Sequence, residues 1–590
     1  MKKPIMSILF IVLFYIFALG AGPSATEADV VILHSSNVYG NVVPYNYFTE
    51  SFEAKGLIPI YSYVQELKSN NENLVLIDTG NLTYGSPFGD YYIDKPDNPV
   101  MTLFNQIGYD VFVPGTFELS LEQDRLENLI GKFKGYTLAG NLKGLNTKVY
   151  TYYTKVLPNG LKVATIGVTP NYGKMTFDDQ VKVIKEKLTK LKEQVKPDVI
   201  VLATSGGITN DPITGKKLAL ESDLNIGDRL VKEFAKDVDV FLFGNEAIVY
   251  TGTNNNKAYS IPGADGSSIN EINIKLNKVS NKWAIKAISI KNVDMASVEV
   301  SQPILSWAEQ YEAPVENWLN ERVLDSTITV GFHKYMAILE DNLITEIVNK
   351  SIIDYTKASA GIWNVFNPNY SGLAEGIVTR KDIYKMVGKT TTVKLVQMTG
   401  MDIRNLVASY SKYIKFSDSR IVFSSLLSKE PWIIDLFENI QYENVINDGT
   451  IRRLDFAGKP ISDSDQFFVS LPSLRTYGDN PIFAGKVVKD FEVPVANILL
   501  ENIKTIVGGE TINLQEDMNR SVYIALQYTV QPGDTFRQIA YRLAVSEDEL
   551  LKLNPVIKDV NLIRPGWKLN YYKRYLDLIP PLKELFEYEE

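Results

Sequence analysis

The residues of the first half of this chain that could do chemistry sit at the ends of five apolar runs of strand length. Asn37 and Tyr39 follow residues 29–34, Asp78 and Asn81 close residues 74–78, and Thr116, Phe117, Glu118 and Ser120 follow residues 111–114. Thr204 follows residues 199–203, and Asn245 and Ala247 follow residues 240–243. Asn37 and Tyr39 leave their strand on the same side, and strand exits of open α/β sheets are where such folds take their ligands. Asn37, Asn81, Thr204 and Asn245 offer hydrogen bonds to a neutral ligand such as a nucleoside or a sugar. They suit a hard divalent cation badly, because an amide is neutral and a phenol keeps its proton near neutral pH. The carboxylates close by are Asp78, Asp90, Glu118 and Glu246, from which an atypical metal site could be built there.

The chain has two histidines, His34 and His333, and no cysteine, which excludes disulfides, thiolate metal sites and cysteine nucleophiles. His34 lies inside an apolar run and reads as a satisfied core residue.

Strands are expected at residues 30–34, 74–78, 111–114, 136–139, 163–168, 199–203 and 240–243, each followed by turn-forming residues, with helical patterns at 60–67, 181–195 and 226–235 between them. That alternation predicts an α/β unit over residues 26–293, closed by a hairpin of residues 271–276 and 283–290. Residues 294–324 read as a linking helix, with Trp307, Tyr311 and Trp318 near helical spacing. A second α+β unit is expected over 325–510, a third over 526–571, and a C-terminal tail over 572–590.

The five strand exits resemble, in order, the motifs of the 5'-nucleotidase and 2',3'-cyclic-nucleotide phosphodiesterase branch of the calcineurin-like metallophosphoesterases. Asp78-Thr79-Gly80-Asn81 resembles Asp-Ala-Gly-Asp, Gly115-Thr116-Phe117-Glu118 resembles Gly-Asn-His-Glu, Ala203-Thr204-Ser205-Gly206 resembles Ala-His-Ser-Gly, and Gly244-Asn245-Glu246-Ala247 resembles Gly-His-Ser-His. The resemblance implies a metallophosphoesterase sandwich. It also implies that the metal-ligand positions are held by Asn37, Tyr39, Asn81, Thr116, Thr204, Asn245 and Ala247, and the catalytic His and its Asp partner by Phe117 and Ser120. A two-metal phosphoesterase needs anionic ligands around two doubly charged ions, and this set has none. No cofactor is therefore expected; the alternative is two divalent ions, manganese or zinc, held by the neighbouring acids.

The second unit resembles the nucleotide-binding C-terminal domain of the same family. There Arg420, Tyr477 and Asp479 are the implied substrate-binding candidates. The third resembles a βααβ LysM module through Tyr528-Thr529-Val530-Gln531-Pro532-Gly533-Asp534-Thr535-Phe536, Asn554-Pro555 and Arg564-Pro565-Gly566-Trp567. The implied partner is peptidoglycan or another N-acetylglucosamine glycan, bound at Gly533, Asp534, Thr535, Phe536, Asn554 and Pro555.

Met1-Lys2-Lys3, an apolar run to Leu19 and small residues near Gly20 describe a signal peptide over 1–25, which places the chain in the periplasm or at the cell surface with no span left after cleavage. The balance of 61 basic against 70 acidic residues, net -9, gives no reason to expect nucleic acid. Two functions from different classes follow. One is an exported envelope protein whose nucleotidase-like scaffold has lost its metals and its catalysis. The other is an active secreted 5'-nucleotidase or cyclic-nucleotide phosphodiesterase with an unusual metal site.

Overall fold

The computed structural model describes residues 26–578, apart from 281, 418–419, 447, 479 and 514–519. The expected signal peptide, Asp479 and most of the C-terminal tail lie outside the described residues.

The first unit is a helix–sheet–sheet–helix sandwich. One sheet runs Lys282–Asp294, Ser268–Val279, Glu27–Ser35, Leu74–Asp78, Val111–Phe112 and Tyr136–Thr137. The other runs Val249–Asn254, Lys257–Pro262, Val240–Phe243, Val199–Thr204, Lys162–Val168 and Tyr152–Val156. Their middle strands are parallel, so both faces must be covered and the strand sequences are apolar throughout. Alternation along Glu27–Ser35 divides the work: Val30 and Ile32 pack between the sheets, while Val31 and Leu33 face the helices Leu57–Asn70 and Pro99–Ile107. The closing hairpin is longer than the apolar pattern predicts, because its far ends are half exposed.

The helix Gln302–Leu319 joins the units and packs on both. Tyr91 and Tyr384 contact Trp318 from opposite domains at 5.9 and 6.0 Å between ring centres. In the second unit the helices Leu343–Thr356, Arg380–Val387 and Val495–Ile506 cover the sheet Leu436–Glu438, Ala360–Trp363, Gln466–Pro472, Val393–Thr399, Lys486–Phe491. One continuous apolar cluster extends from Val31 and Phe104 of the first unit to Ile347 and Leu499 of the second, so the two share a core.

The expected boundary at residue 526 falls inside a strand. Arg520–Thr529 pairs in parallel with Ile440–Val445 through its first residues and antiparallel with Lys568–Arg574 through the rest. A second sheet of that unit, Lys459–Pro460, Ile451–Phe456, Ile440–Val445, Arg520–Thr529 and Lys568–Arg574, therefore continues into the third. Val522, Ile524 and Tyr575 are buried in the second unit's core, and Arg520 is locked to Asp341 at 2.8 Å with both side chains under 3 % exposed. The sequence reading cut the strand because resemblance to the LysM module begins only at Tyr528. Within the module, Thr535 caps the helix Phe536–Leu543 and Ser546 the helix Glu547–Leu553.

Candidate functional site

The five strand exits do converge. Asn37, Tyr39, Asn81 and Asn245 all take the left-handed backbone conformation, with φ of 54°, 54°, 54° and 66°. Such a conformation is tolerated by asparagine more readily than by most residues, and it turns each loop sharply out of its strand. The loop after Leu74–Asp78 is held from behind by Glu118. Its carboxylate accepts from the backbone N–H groups of Asn81, Leu82, Thr83 and Gly115 at 2.9–3.0 Å and from the Thr83 hydroxyl at 2.8 Å. Glu118 is thus spent on backbone donors.

The side chains at the ligand positions bond to one another. Asn81 Nδ2 donates to Asn37 Oδ1 at 3.0 Å, and Asn37 Nδ2 donates to the Glu246 carbonyl at 3.0 Å. Asn81 Oδ1 accepts from the Phe117 backbone at 3.0 Å and from the Thr116 hydroxyl at 3.3 Å. Thr116 also lies 3.5 Å from Asn245 Oδ1 and 3.2 Å from Glu492 Oε2, which belongs to the second unit. Thr204 is turned away into its own loop, where its hydroxyl accepts from Gly206 N at 3.0 Å, and Ala247 lines the adjoining cleft. Phe117, 1 % exposed, packs between Tyr39 and Tyr84 at 5.1 and 5.3 Å, and Ser120 donates to the Phe117 carbonyl at 2.7 Å.

Of the remaining acids, Asp78 accepts from Ser35 at 2.6 Å and from Gly80 N at 2.9 Å, and burial pushes its pKa up to about 8. Asp90 accepts from Tyr384 Oη at 2.6 Å across the domain boundary. Glu246 is fully buried and neither carboxyl oxygen meets a hydrogen-bond donor; burial raises it to about 8, with Lys394 offsetting part of that. His34 is bonded to Ser260 and Thr79 at 2.7 and 2.8 Å, and burial lowers its pKa to about 3. It is the satisfied core residue that the sequence predicts.

The donor set does not fit a dinuclear centre. It is made of amides, hydroxyls and aromatic rings already engaged with one another, with a single unengaged carboxyl group, Glu246, whose burial favours the protonated form. Among the described residues no cluster of three or more His, Cys, Asp or Glu has the arrangement of a metal site.

Between the two units opens a cleft of about 310 Å³, walled by Phe48, Phe366, Trp432 and Tyr477 and edged by Lys55 and Asp265. Tyr477, one of the residues named from the resemblance, lines this cleft. Arg420 lies exposed on the hairpin strand Arg420–Phe423, opposite Ser417, and does not line the cleft. The buried arginine nearby is Arg475, held by Asp435 at 2.8 Å behind the Tyr477 loop. Sequence reading missed Glu492, Asp490 and Lys394. Lys394, in an apolar strand pattern, was the available signal, since a lysine at a core position needs counter-charges.

In the LysM module, Gly533, Thr535 and Pro555 are exposed, and Asp534 accepts from Tyr528 Oη at 2.7 Å and pairs with Arg542 at 3.2 Å. Phe536 and Asn554 are 3 % exposed and serve the fold: Asn554 bonds Leu550 O at 2.7 Å and Asn570 O and N at 2.8 Å. Their side chains are turned inward and are removed from the glycan-contacting set.

Comparison with known proteins agrees with this architecture. Residues 327–484 match the family described as 5'-nucleotidase, C-terminal domain, and residues 528–570 match the LysM domain. The 2',3'-cyclic-nucleotide 2'-phosphodiesterase/3'-nucleotidase of Salmonella typhimurium is 21 % identical over 79 % of this chain and 84 % of its own length. The trifunctional nucleotide phosphoesterase YfkN of Bacillus subtilis is 21 % identical over 85 % of this chain but only 39 % of its own length. A putative 5'-nucleotidase structure from Staphylococcus aureus superposes with a TM-score of 0.59 over 84 % of this chain and all of that one, at 17 % identity. The chain thus has the 5'-nucleotidase fold, with a 5'-nucleotidase C-terminal domain and a LysM domain joined to it by a shared sheet.

Proposed function

We propose that this is an exported, envelope-attached protein in which the nucleotidase scaffold no longer holds metals or catalyses hydrolysis, and whose LysM module binds peptidoglycan. The observation that carries the reading is the bond between Asn81 and Asn37, two positions at which the resemblance implies metal ligands. Once these amides satisfy each other and the backbone, the site presents no anionic cage for two doubly charged ions, and nothing there lowers the pKa of an attacking water. Phe117 and Ser120, at the implied positions of the catalytic His and its Asp partner, supply no general acid or base. The interdomain cleft, with its aromatic walls, remains as a place for a nucleoside-like or sugar-like ligand.

The competing reading, an active metal-dependent phosphoesterase, draws on the names of the relatives and on the unengaged Glu246. Assays of the purified chain with 2',3'-cyclic nucleotides and with 3'- and 5'-mononucleotides, each with manganese, zinc, magnesium or cobalt, decide between them. Background rates in every combination are expected. Metal-dependent turnover that is lost in the Asp78→Asn/Glu118→Gln/Glu246→Gln triple variant would establish the enzyme instead.

A further inference from the structure

Residues 205–226 leave the strand exit at Thr204 and return to the helix Gly227–Phe234 as a loop of the first unit. That unit shapes the base of the loop: Asp228 accepts from Thr209 N at 2.6 Å and from Asn210 N at 3.0 Å, and Asn225 Nδ2 donates to the Leu220 carbonyl at 3.2 Å. The tip packs elsewhere. Leu220 is 1 % exposed and sits in the apolar core of the second unit, whose other buried members all lie between Ala337 and Tyr575. Around this plug the two backbones meet: Leu220 N donates to the Thr476 carbonyl at 2.8 Å, and Ala219 forms an antiparallel bridge with Tyr477. Ser222 Oγ, two residues on, donates to Asp490 at 2.6 Å.

The residues gripped in this way build the interdomain cleft. Tyr477 follows the turn Ser473–Thr476, is 6 % exposed and lines the cleft. Arg475, paired with Asp435, roots that turn in its own unit, but the backbone of Thr476 and Tyr477 is tied by the first. Phe48 is held in the reciprocal way. It belongs to the first unit, and its carbonyl accepts from Asn367 Nδ2 of the second at 3.0 Å, while its ring lies 5.8 Å from that of Tyr384. Each of these two cleft walls is therefore positioned by the unit it does not belong to.

We infer that Leu220 is a positioning residue of the cleft: seated in the second unit's core, it fixes the backbone of Thr476 and Tyr477 and so holds the Tyr477 ring where the flat ring of a bound nucleoside stacks. The inference rests on the reading that the cleft takes such a ligand, for which the four aromatic walls Phe48, Phe366, Trp432 and Tyr477 are suited. It adds a residue outside the cleft on which that ligand depends. Leu220 does not line the cleft itself. Its effect passes through Tyr477, because residues of surface loops move unless packing ties them, and a stacking contact is worth most when the ring is already held in place.

The test compares the full chain with Leu220→Ala, Leu220→Met and Leu499→Ala, the last a truncation at a fully buried position of the helix Val495–Ile506 in the other apolar cluster. Hydrogen exchange followed by mass spectrometry reads residues 473–478, and calorimetry with adenosine and uridine reads the cleft. Leu220→Ala is expected to raise exchange over 473–478 by about tenfold, Leu220→Met, which conserves volume, to stay near the wild type, and Leu499→Ala to leave that segment unchanged. Leu220→Ala should also weaken nucleoside binding by about fivefold, the loss of one stacking contact. Tyr477→Ala should do the same, and the double variant should bind no more weakly than Tyr477→Ala alone, since the two residues act as one. The inference is overturned if Leu220→Ala raises exchange at 473–478 no more than Leu499→Ala does, or if it weakens binding further in the Tyr477→Ala background. Should Leu220→Ala fail to fold, Leu220→Val, which shortens the plug by one methylene, carries the same comparison. A wild-type chain that binds neither nucleoside yet shows the expected exchange pattern would overturn the ligand reading and support Leu220 as the residue that positions the wall.

Discussion

Asn81 Nδ2 donates to Asn37 Oδ1 across 3.0 Å, so two side chains that the resemblance places at metal-ligand positions spend their polar atoms on each other. Every other feature of the site is consistent with that bond. The loops on which both residues sit are held by backbone contacts and by Glu118.

Restoring one carboxylate should therefore harm the protein and create nothing. Asn37→Asp removes the donor to the Glu246 carbonyl and buries a charge with no cation beside it. A loss of about 1–3 kcal/mol in urea unfolding is expected, from the unsatisfied buried group alone, with no metal-dependent hydrolysis. A folded, manganese-dependent enzyme from this single change would show that the remaining ligands are sufficient.

The shared sheet makes Arg520 a joint between the second unit and the LysM module. Arg520→Met takes the buried guanidinium away from Asp341, and breaking a buried ion pair of this kind costs about 3–5 kcal/mol. Because Arg520–Thr529 belongs to both units, the variant should loosen both together. Hydrogen exchange should therefore rise at Tyr442–Val445 and at Tyr571–Arg574 alike. A change confined to one side would mean that the module is independently mounted.

The same strand revises what an isolated module must contain. A fragment of residues 520–578 keeps the whole strand pair with Lys568–Arg574, whereas one of residues 527–571 cuts away the pairs from Tyr523 to Leu526. The longer fragment should be the more protease-resistant. The full chain should be retained on insoluble peptidoglycan with little change between low and moderate salt, since the implied ligand is a neutral polymer and charge screening does not weaken apolar contacts. Sharp release by salt, or equal retention of a chain ending before Arg520, would remove LysM as the anchor.

Glu438 gives a pH signature away from the cleft. It is 2 % exposed beside Glu346 and Lys350, and burial raises its pKa to about 8 from the ordinary carboxylate range. A folded-state pKa above the unfolded one means that the native state binds the extra proton, so the contribution is complete below about pH 4.5 and is lost as pH rises through about 8. The difference in stability between Glu438→Gln and the wild type should thus move in favour of the variant by roughly 3–4 kcal/mol between pH 5 and pH 8. A difference that stays flat over that range would mean that Glu438 is ionised throughout.

Much of the sandwich was legible in the sequence because parallel strands buried on both faces must be apolar and must end in turn-formers, as Leu74–Asp78 and Val240–Phe243 do. The convergence of Asn37, Asn81, Thr116 and Asn245 followed from their places at strand exits. What was not legible depends on pairing between distant segments. Nothing local to Ser521 or Val522 says that they add to a strand some eighty residues earlier, and Glu492 reads as a surface acid until the first unit is packed against it. Arg420 illustrates the converse, a short motif match that the hairpin carries away from the cleft. Phe536 and Asn554 show the same limit on a smaller scale, since a loop can match a binding motif while its side chains turn inward.

The most direct measurement is the metal content of the wild-type chain, purified without chelator from cells grown with ample manganese and zinc, by inductively coupled plasma mass spectrometry. The account predicts far less than one equivalent of any transition metal, and no rise in melting temperature when manganese or zinc is added. Two equivalents of manganese or zinc that persist through gel filtration, and disappear in the Asp78→Asn/Glu118→Gln/Glu246→Gln variant, would contradict it.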